Sequence, residues 1–304
     1  MHAARLFIVT AAVASVLAVI TLFCVPAAAA EGRFGARSAE SGAGRRQQWL
    51  VPTPDPGTDS HALLYRPAGD GPFRLAVIAH ASTQNALRRA QLPQPDDPAL
   101  ALALVAQGFA VVVPERPGHG ATGGPYLEDQ GGCDDADYVR AGRATAEAIR
   151  AAATFMHMQP FIRRDGAVIV GHSAGAWGAL ALAASDPTSV ARIIAFAPGR
   201  GGHADDRPFA VCAEARLVTA AGTFGKGARV PVTWLVAQND SYFAPALSQR
   251  MADAFRAGGD TVDFRVLPAS GDEGHWLAER SDVQRIIAAL PLDANAPAAR
   301  PQRK

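Results

Sequence analysis

The chain has 304 residues, 49% of them hydrophobic and 19% charged. That balance excludes a chain too polar to bury a core. A net charge of +1, from 29 basic and 28 acidic side chains, excludes a dedicated nucleic-acid binder, which carries a basic excess, and three cysteines are too few for a disulfide-built scaffold or a four-thiolate zinc site.

In chain order, no residue between Arg5 and Glu31 is charged, and Leu6 to Val25 is almost wholly apolar. Pro26 breaks this run, and Ala28-Ala29-Ala30 forms the small-x-small site of a signal peptidase. The pattern predicts a signal peptide over 1–30, cut after Ala30, and a secreted or periplasmic protein with no stable membrane association afterwards. The alternative is an uncleaved anchor over residues 6–25, because about 20 apolar residues span a bilayer. Cys24 follows the bulky Phe23, which speaks against lipidation. Residues 31–46 are Gly-, Ala-, Ser- and Arg-rich with no apolar period and predict a flexible linker. Residues 47–292 predict one folded domain, and 293–304 a disordered tail.

Within the body, Gln47–Val51 and Ala62–Tyr65 predict a leading hairpin around a turn-rich PTPDPGTDS. Leu75–Ala79 and Phe109–Val113 are short continuous apolar runs, as for strands buried on both faces. Between them Pro98–Gln107 predicts a helix, closed by Gly108. Asp137–Met158 is Ala-rich and free of proline, hence helical. Strands follow at Ala167–Val170, Ala191–Ala197, Val230–Ala237 and Thr261–Leu267, with helices at Ala174–Ala184, Pro245–Ala257 and Trp276–Leu290. Such alternation predicts an α/β fold: a mostly parallel central sheet with helices on both faces. Ligands in such sheets bind at the carboxyl ends of the strands.

The sharpest motif is Gly171-His172-Ser173-Ala174-Gly175, between a predicted strand and a predicted helix. A tight turn there lifts the Ser173 hydroxyl clear of the sheet, and the small flanking residues permit it. A serine hydroxyl needs a base. His275 lies in the loop after the last predicted strand. The base needs a carboxylate that fixes its tautomer. Asp240 lies directly after the strand Val230–Ala237, while Asp272 and Glu273 are rivals close to His275 in sequence.

The order Ser173, Asp240, His275 resembles that of the α/β-hydrolases. The stretch Asp240-Ser241-Tyr242-Phe243-Ala244-Pro245 further resembles dienelactone-hydrolase-like members and their esterase relatives. The resemblance covers roughly residues 60–290 and implies a serine hydrolase of esters, thioesters or amides. It assigns two oxyanion-hole donors, the backbone N–H groups of Ser82 and Ala174, and makes His80 a structural hydrogen-bonder. Ala81 stands where the family usually carries glycine.

The loop Pro117–Gly124 is Gly-rich but lacks the phosphate-loop lysine motif. His119, Tyr242, Phe243 and Trp276 are candidates for a substrate pocket, with Phe209 and Phe224 as further rim residues and Trp177 as core. His119, Cys133 and the Asp134-Asp135 pair have irregular spacing, so no metal and no cofactor are expected. Residues 198–229 must hold a helix, placed near Ala210–Ala221, which leaves room for only a minimal lid. With Cys24 removed by export, Cys133 and Cys212 predict one disulfide in an oxidising compartment, two buried thiols being the alternative.

The sequence thus predicts an exported hydrolase that cleaves a carboxylic ester of a small molecule through an acyl-enzyme. Thioesterase, peptidase or acyltransferase chemistry on the same triad, or a non-catalytic binding protein of the same fold, are the alternatives.

Overall fold

A computed structural model of the protein describes residues 32–259, 261–280 and 282–292. The expected signal or anchor over residues 1–30 and the expected tail over 293–304 lie outside the described residues. The first strand, β1 (Gly35–Ala36), pairs antiparallel with β2 (Gln47–Pro52), which forms the expected hairpin with β3 (Asp59–Tyr65). The segment expected as a linker is therefore attached to the sheet from Arg33 onward. Glu40 bonds Arg45 at 2.6 Å and also Arg66, and Arg33 pairs with Asp59 at 2.7 Å. Its polar composition conceals this, because an edge strand of two residues needs no apolar period.

Next come β4 (Arg74–Ala79), the short helix α1 (Ala86–Ala90), α2 (Pro98–Ala106) and β5 (Phe109–Pro114). The chain continues with α3 (Tyr138–His157), β6 (Ala167–His172), α4 (Ala174–Ser185) and β7 (Val190–Phe196). It ends with α5 (Glu214–Gly227), β8 (Val232–Ala237), α6 (Pro245–Ala257), β9 (Val262–Leu267) and α7 (Val283–Ala288). Among the described residues these strands form one nine-stranded sheet in the order β1-β2-β3-β5-β4-β6-β7-β8-β9. The pairs from β5 through β9 are all parallel, and β3 joins β5 antiparallel. No helix among the described residues is long and apolar enough to cross a membrane.

Parallel strands are buried on both faces, which is why they read as unbroken apolar runs. Two cores result. Leu100 and Leu104 of α2 and Ile287 of α7 pack against Ile78, Val111 and Val170 on one face. Ile149 of α3, Trp177 of α4 and Met251 of α6 pack against Val77, Ile169 and Trp234 on the other. Trp177 is fully buried, as expected, and its indole N–H donates to Tyr138 O at 2.8 Å. Helices α3 and α4 meet closely because Gly142 and Gly178 face the partner helix; a Cβ on Gly178 would strike Thr145.

Two helices differ from expectation. The helix predicted from Trp276 begins as a 3-10 segment, Gly274–Glu279, and becomes α-helical only at Val283. The buried His275 and its loop contacts take the backbone that a continuous helix would use. Helix α5 starts at Glu214, later than the predicted Ala210, because residues 202–211 form a flap. An isolated bridge between Gly202 and Val211 closes the base of this flap. The connection between β7 and β8 holds only the flap and α5, so the lid is minimal.

Candidate active site

The motif around Ser173 forms the turn that its residue types call for. Ser173 follows the last residue of β6 and precedes α4, with φ 53° and ψ −115°. A non-glycine residue with positive φ is strained and must be held by its surroundings. Ser173 N–H donates to Phe196 O at 2.9 Å, and Ser173 O accepts from Trp177 N–H at 2.9 Å. The flanking glycines are required by contact rather than by φ. A Cβ on Gly171 would collide with the backbone of Ala176, and one on Gly175 with the carbonyl of Ala79. This second contact seats the start of α4 directly against the end of β4.

Asp240, fully buried in the loop after β8, and His275, 2% exposed in the segment after β9, meet across the sheet edge. Asp240 Oδ2 lies 3.2 Å from His275 Nδ1. Its other oxygen accepts from the N–H groups of Tyr242 and Phe243, both at 2.8 Å. A carboxylate so placed can only accept, so His275 Nδ1 carries the proton and Nε2 presents its lone pair. Burial holds the His275 imidazole below its ordinary range, opposed by the hydrogen bond and charge of Asp240. The His275 carbonyl accepts from His172 Nε2 at 2.8 Å. That bond ties the histidine loop to the residue preceding Ser173. The Ser173 hydroxyl has no protein hydrogen bond among the described residues. The rival Asp272 is exposed, and among the described residues no hydrogen bond or ion pair joins it to His275. The other rival, Glu273, contacts the backbone of His275 and not its ring: its carboxylate accepts from His275 N–H at 2.9 Å and from Ser241 N–H at 3.1 Å.

The loop after β4 carries Ser82. His80 is buried and neutral, its pKa pushed well down by burial and by Arg116 and His119. Its Nε2 accepts from Arg116 N–H at 3.1 Å, so Nδ1 holds the proton and donates to Ala81 O at 2.6 Å. In a trans peptide the N–H points opposite to the C=O, so this bond turns the Ser82 N–H away from His80. Among the described residues no acceptor meets Ser82 N–H or Ala174 N–H. Ala81 keeps a negative φ, so alanine is tolerated there without strain.

The Ser82 side chain faces His119. His119 Nδ1 donates to the carbonyls of Arg116 and Pro117, at 3.0 and 3.1 Å, and burial lowers its pKa to about 4. Its Nε2 therefore accepts the Ser82 hydroxyl proton at 2.7 Å. His119, expected in the pocket wall, is 1% exposed and supports the Ser82 loop from behind. Beneath it lies a cluster that the sequence gives no sign of: Glu128 bound by both Arg116 and Arg200, all buried. Arg116 also donates to His80 O at 2.8 Å, which joins the cluster to the same loop. Burial opposes a charged Glu128, but the two guanidinium groups hold its carboxyl well below the usual range.

Of the remaining pocket candidates, Tyr242 is half-buried and stacks on His275 at 4.2 Å, with His203 of the flap stacked on its other face at 3.5 Å. Trp276 is half-buried, with ring centroids 5.4 Å from His275 and 5.6 Å from His172. Phe243 is not on the rim. It is 1% exposed, packed against Gly199, with its ring centroid 5.5 Å from that of His275. The turn held by Asp240 Oδ1 sends it inward. Phe224 is likewise core, against Trp177. Phe209 is exposed, and Arg88 of α1 pairs with Asp206 of the flap at 3.5 Å. The expected disulfide Cys133–Cys212 is formed, with Cα atoms 4.6 Å apart, and it fixes the base of the flap to the loop that follows Glu128.

No family model and no curated protein matches this sequence. Solved structures do match it in fold. A CIB-like hydrolase from Thermoplasma acidophilum is 19% identical, with a TM-score of 0.52, covering 79% of this chain and 95% of that one. Acetyl xylan esterase 1 from Thermoanaerobacterium sp. JW/SL YS485 is 17% identical, with a TM-score of 0.53 and coverage of 79% and 83%. The esterase Pf2001 from Pyrococcus furiosus is 13% identical, with a TM-score of 0.54 and coverage of 82% and 92%. Likeness at these identities concerns the fold, and the fold is that of the α/β-hydrolases.

Proposed function

We propose that this α/β-hydrolase fold carries a serine hydrolase that cleaves carboxylic esters of small molecules. The observation that supports it best is the buried Asp240 carboxylate facing His275 Nδ1, which leaves Nε2 as a base, beside a strained turn bearing Ser173. The solved structures of similar fold include esterases, which fits the same chemistry.

In this reading His275 Nε2 takes the Ser173 proton as the oxygen attacks the acyl carbon. The oxyanion forms against the N–H groups of Ser82 and Ala174, which have no other acceptor among the described residues. Two fixed donors stabilise that charge, and losing one costs on the order of 3–4 kcal/mol. His275 then gives its proton to the leaving alcohol, and the acyl group stays on Ser173. Water, deprotonated by His275, attacks the acyl carbon, and the proton returns to Ser173 as the acid leaves. Asp240 keeps the imidazole in one tautomer and stabilises the imidazolium in both halves.

Incubation with a fluorophosphonate should label Ser173 and no other residue, and p-nitrophenyl esters of short acyl chains should turn over. A folded protein that takes no label and hydrolyses none of these esters would refute the reading. Export belongs to the same proposal, and the disulfide supports it because such bonds persist in oxidising compartments. N-terminal sequencing of the exported protein should start at Glu31, whereas an intact Met1 in the membrane fraction would favour the anchor.

A further inference from the structure

The second carboxylate in this neighbourhood does work that the triad alone does not account for. Glu273 Oε1 accepts from the N–H groups of Ser241 and His275, and Oε2 accepts the Ser241 hydroxyl proton. Ser241 is the residue after Asp240, so one carboxylate grips the neighbour of the acid and the backbone of the base. These donors hold the Glu273 carboxyl below its ordinary range, although burial opposes them. Because the Ser241 hydroxyl donates to Glu273, its oxygen accepts from His203 Nε2 at 2.7 Å. Among the described residues no Lys or Arg side chain forms an ion pair with Glu273. The charged or titratable groups around it are His275 on its own segment, Asp240 and Tyr242 on the loop after β8, His203 on the flap, and Arg280, which donates to its backbone carbonyl at 3.3 Å.

We propose that Glu273 is a positioning residue for the Ser173 site. It holds the Asp240 loop against the His275 loop, and its negative charge favours the imidazolium that forms during turnover. The proposal rests on the triad reading above. The two loops follow the paired strands β8 and β9; Asn239 ties their bases, donating to Gly271 O at 2.9 Å and accepting from Ser270 N–H at 2.9 Å and Gly274 N–H at 3.2 Å, while Glu273 makes the tie beside the ring. The 3.2 Å separation of Asp240 and His275 leaves little slack, and a displacement of about 1 Å in such a site costs on the order of 100-fold in rate.

The test uses the full chain. In a Ser173→Ala background, the His275 ring is titrated by NMR with Glu273 intact and as Glu273→Gln. The glutamine keeps the length, loses the charge and presents only one acceptor oxygen. The His275 midpoint should fall by about half to one pH unit, since the nearby negative charge is lost. With Ser173 present, the same change should lower kcat about tenfold and leave KM within about twofold. Glu273→Asp retains the charge but not the reach, so it should restore most of the midpoint and little of kcat. A midpoint that stays in place in Glu273→Gln overturns the proposal, whether or not kcat falls, because a purely structural role would not move it. If Glu273→Gln fails to fold, Ser241→Ala, which removes one of the three bonds and keeps the Glu273 charge, should lower kcat and leave KM within about twofold; an unchanged kcat overturns the proposal. A wild-type protein that hydrolyses no ester would defeat the proposed function, while the titration would still decide the role of Glu273.

Discussion

At the level of single residues, the candidate site separates three carboxylates that lie close in space or in sequence. Asp240 has one oxygen occupied by two backbone N–H groups and the other facing His275. Asp272 is exposed to solvent, and Glu273 holds backbone. Asp240→Asn should therefore reduce kcat by on the order of 10⁴-fold, because an amide can present its NH₂ to Nδ1 and favour the wrong tautomer. Asp272→Asn should change kcat by less than about twofold. Steady-state kinetics on the two purified variants checks this, and a larger loss at Asp272 would transfer the acid role. The pH profile follows from the burial of His275. Its base form exists above its lowered pKa, so kcat/KM should rise along an acid limb centred below pH about 6.5 and stay flat through neutrality.

At the level of elements, the flap over residues 202–211 and the loops after β4, β5, β8 and β9 are what assemble the site, and the sheet holds them apart. Cys133–Cys212 is their longest-range covalent tie, closing a sequence separation of 79. The chain-entropy model assigns such a loop roughly 4–5 kcal/mol, which for a domain of this size corresponds to a fall in Tm on the order of 10 °C. Cys133→Ser with Cys212→Ser should show that fall in calorimetry. It should raise KM more than it lowers kcat, because the flap meets the His275 segment through the His203–Tyr242 stack and through its bonds to Ser241, while Asp240 and Glu273 keep their own bonds. An unchanged Tm, or a loss confined to kcat, would contradict this account.

For the whole molecule, the buried titratable groups set how stability varies with pH. Burial lowers the pKa of His80, His119 and His275. For a lowered histidine the unfolded chain binds more protons below pH about 6.5, so the stabilisation is complete above that value and is lost as pH falls through it. Glu128 acts in the same sense at lower pH. Its depressed carboxyl stabilises fully above the ordinary carboxylate range, and the contribution is lost as pH drops below about 4.5. Asp97 opposes them: burial and the nearby Glu279 push it up to about 6, so the folded state gains a proton there and is favoured as pH falls through that value. With His157, also lowered by burial, four histidines outweigh one aspartate. Tm should be level from pH 8 to 7 and decline steadily from pH 6.5 to 4.5, as followed by circular dichroism. A level or rising Tm across the lower interval would show that these groups are not buried in the unprotonated form.

Much of this molecule is legible in the sequence because its signals are local. A strand buried on both faces must be apolar throughout, so β4 to β8 stand out as runs. A tight strand-to-helix turn needs small residues on both sides, so Gly171 and Gly175 mark the turn at Ser173. The roles proposed for Asp240 and His275 follow from the rule that function gathers at strand ends. What the sequence does not reveal depends on partners far apart in the chain. Glu128 meets Arg116 and Arg200 across 12 and 72 positions, and an arginine in such a cluster looks no different in sequence from one on the surface. Phe243 turns inward only because Asp240 bends the backbone, and β1 is a strand only because β2 offers it an edge. Which of Asp240 and Glu273 faces the His275 ring is likewise tertiary. Both stand near His275, one in space and one in sequence, and only the packing of the loops after β8 and β9 gives the ring to Asp240 and the backbone to Glu273.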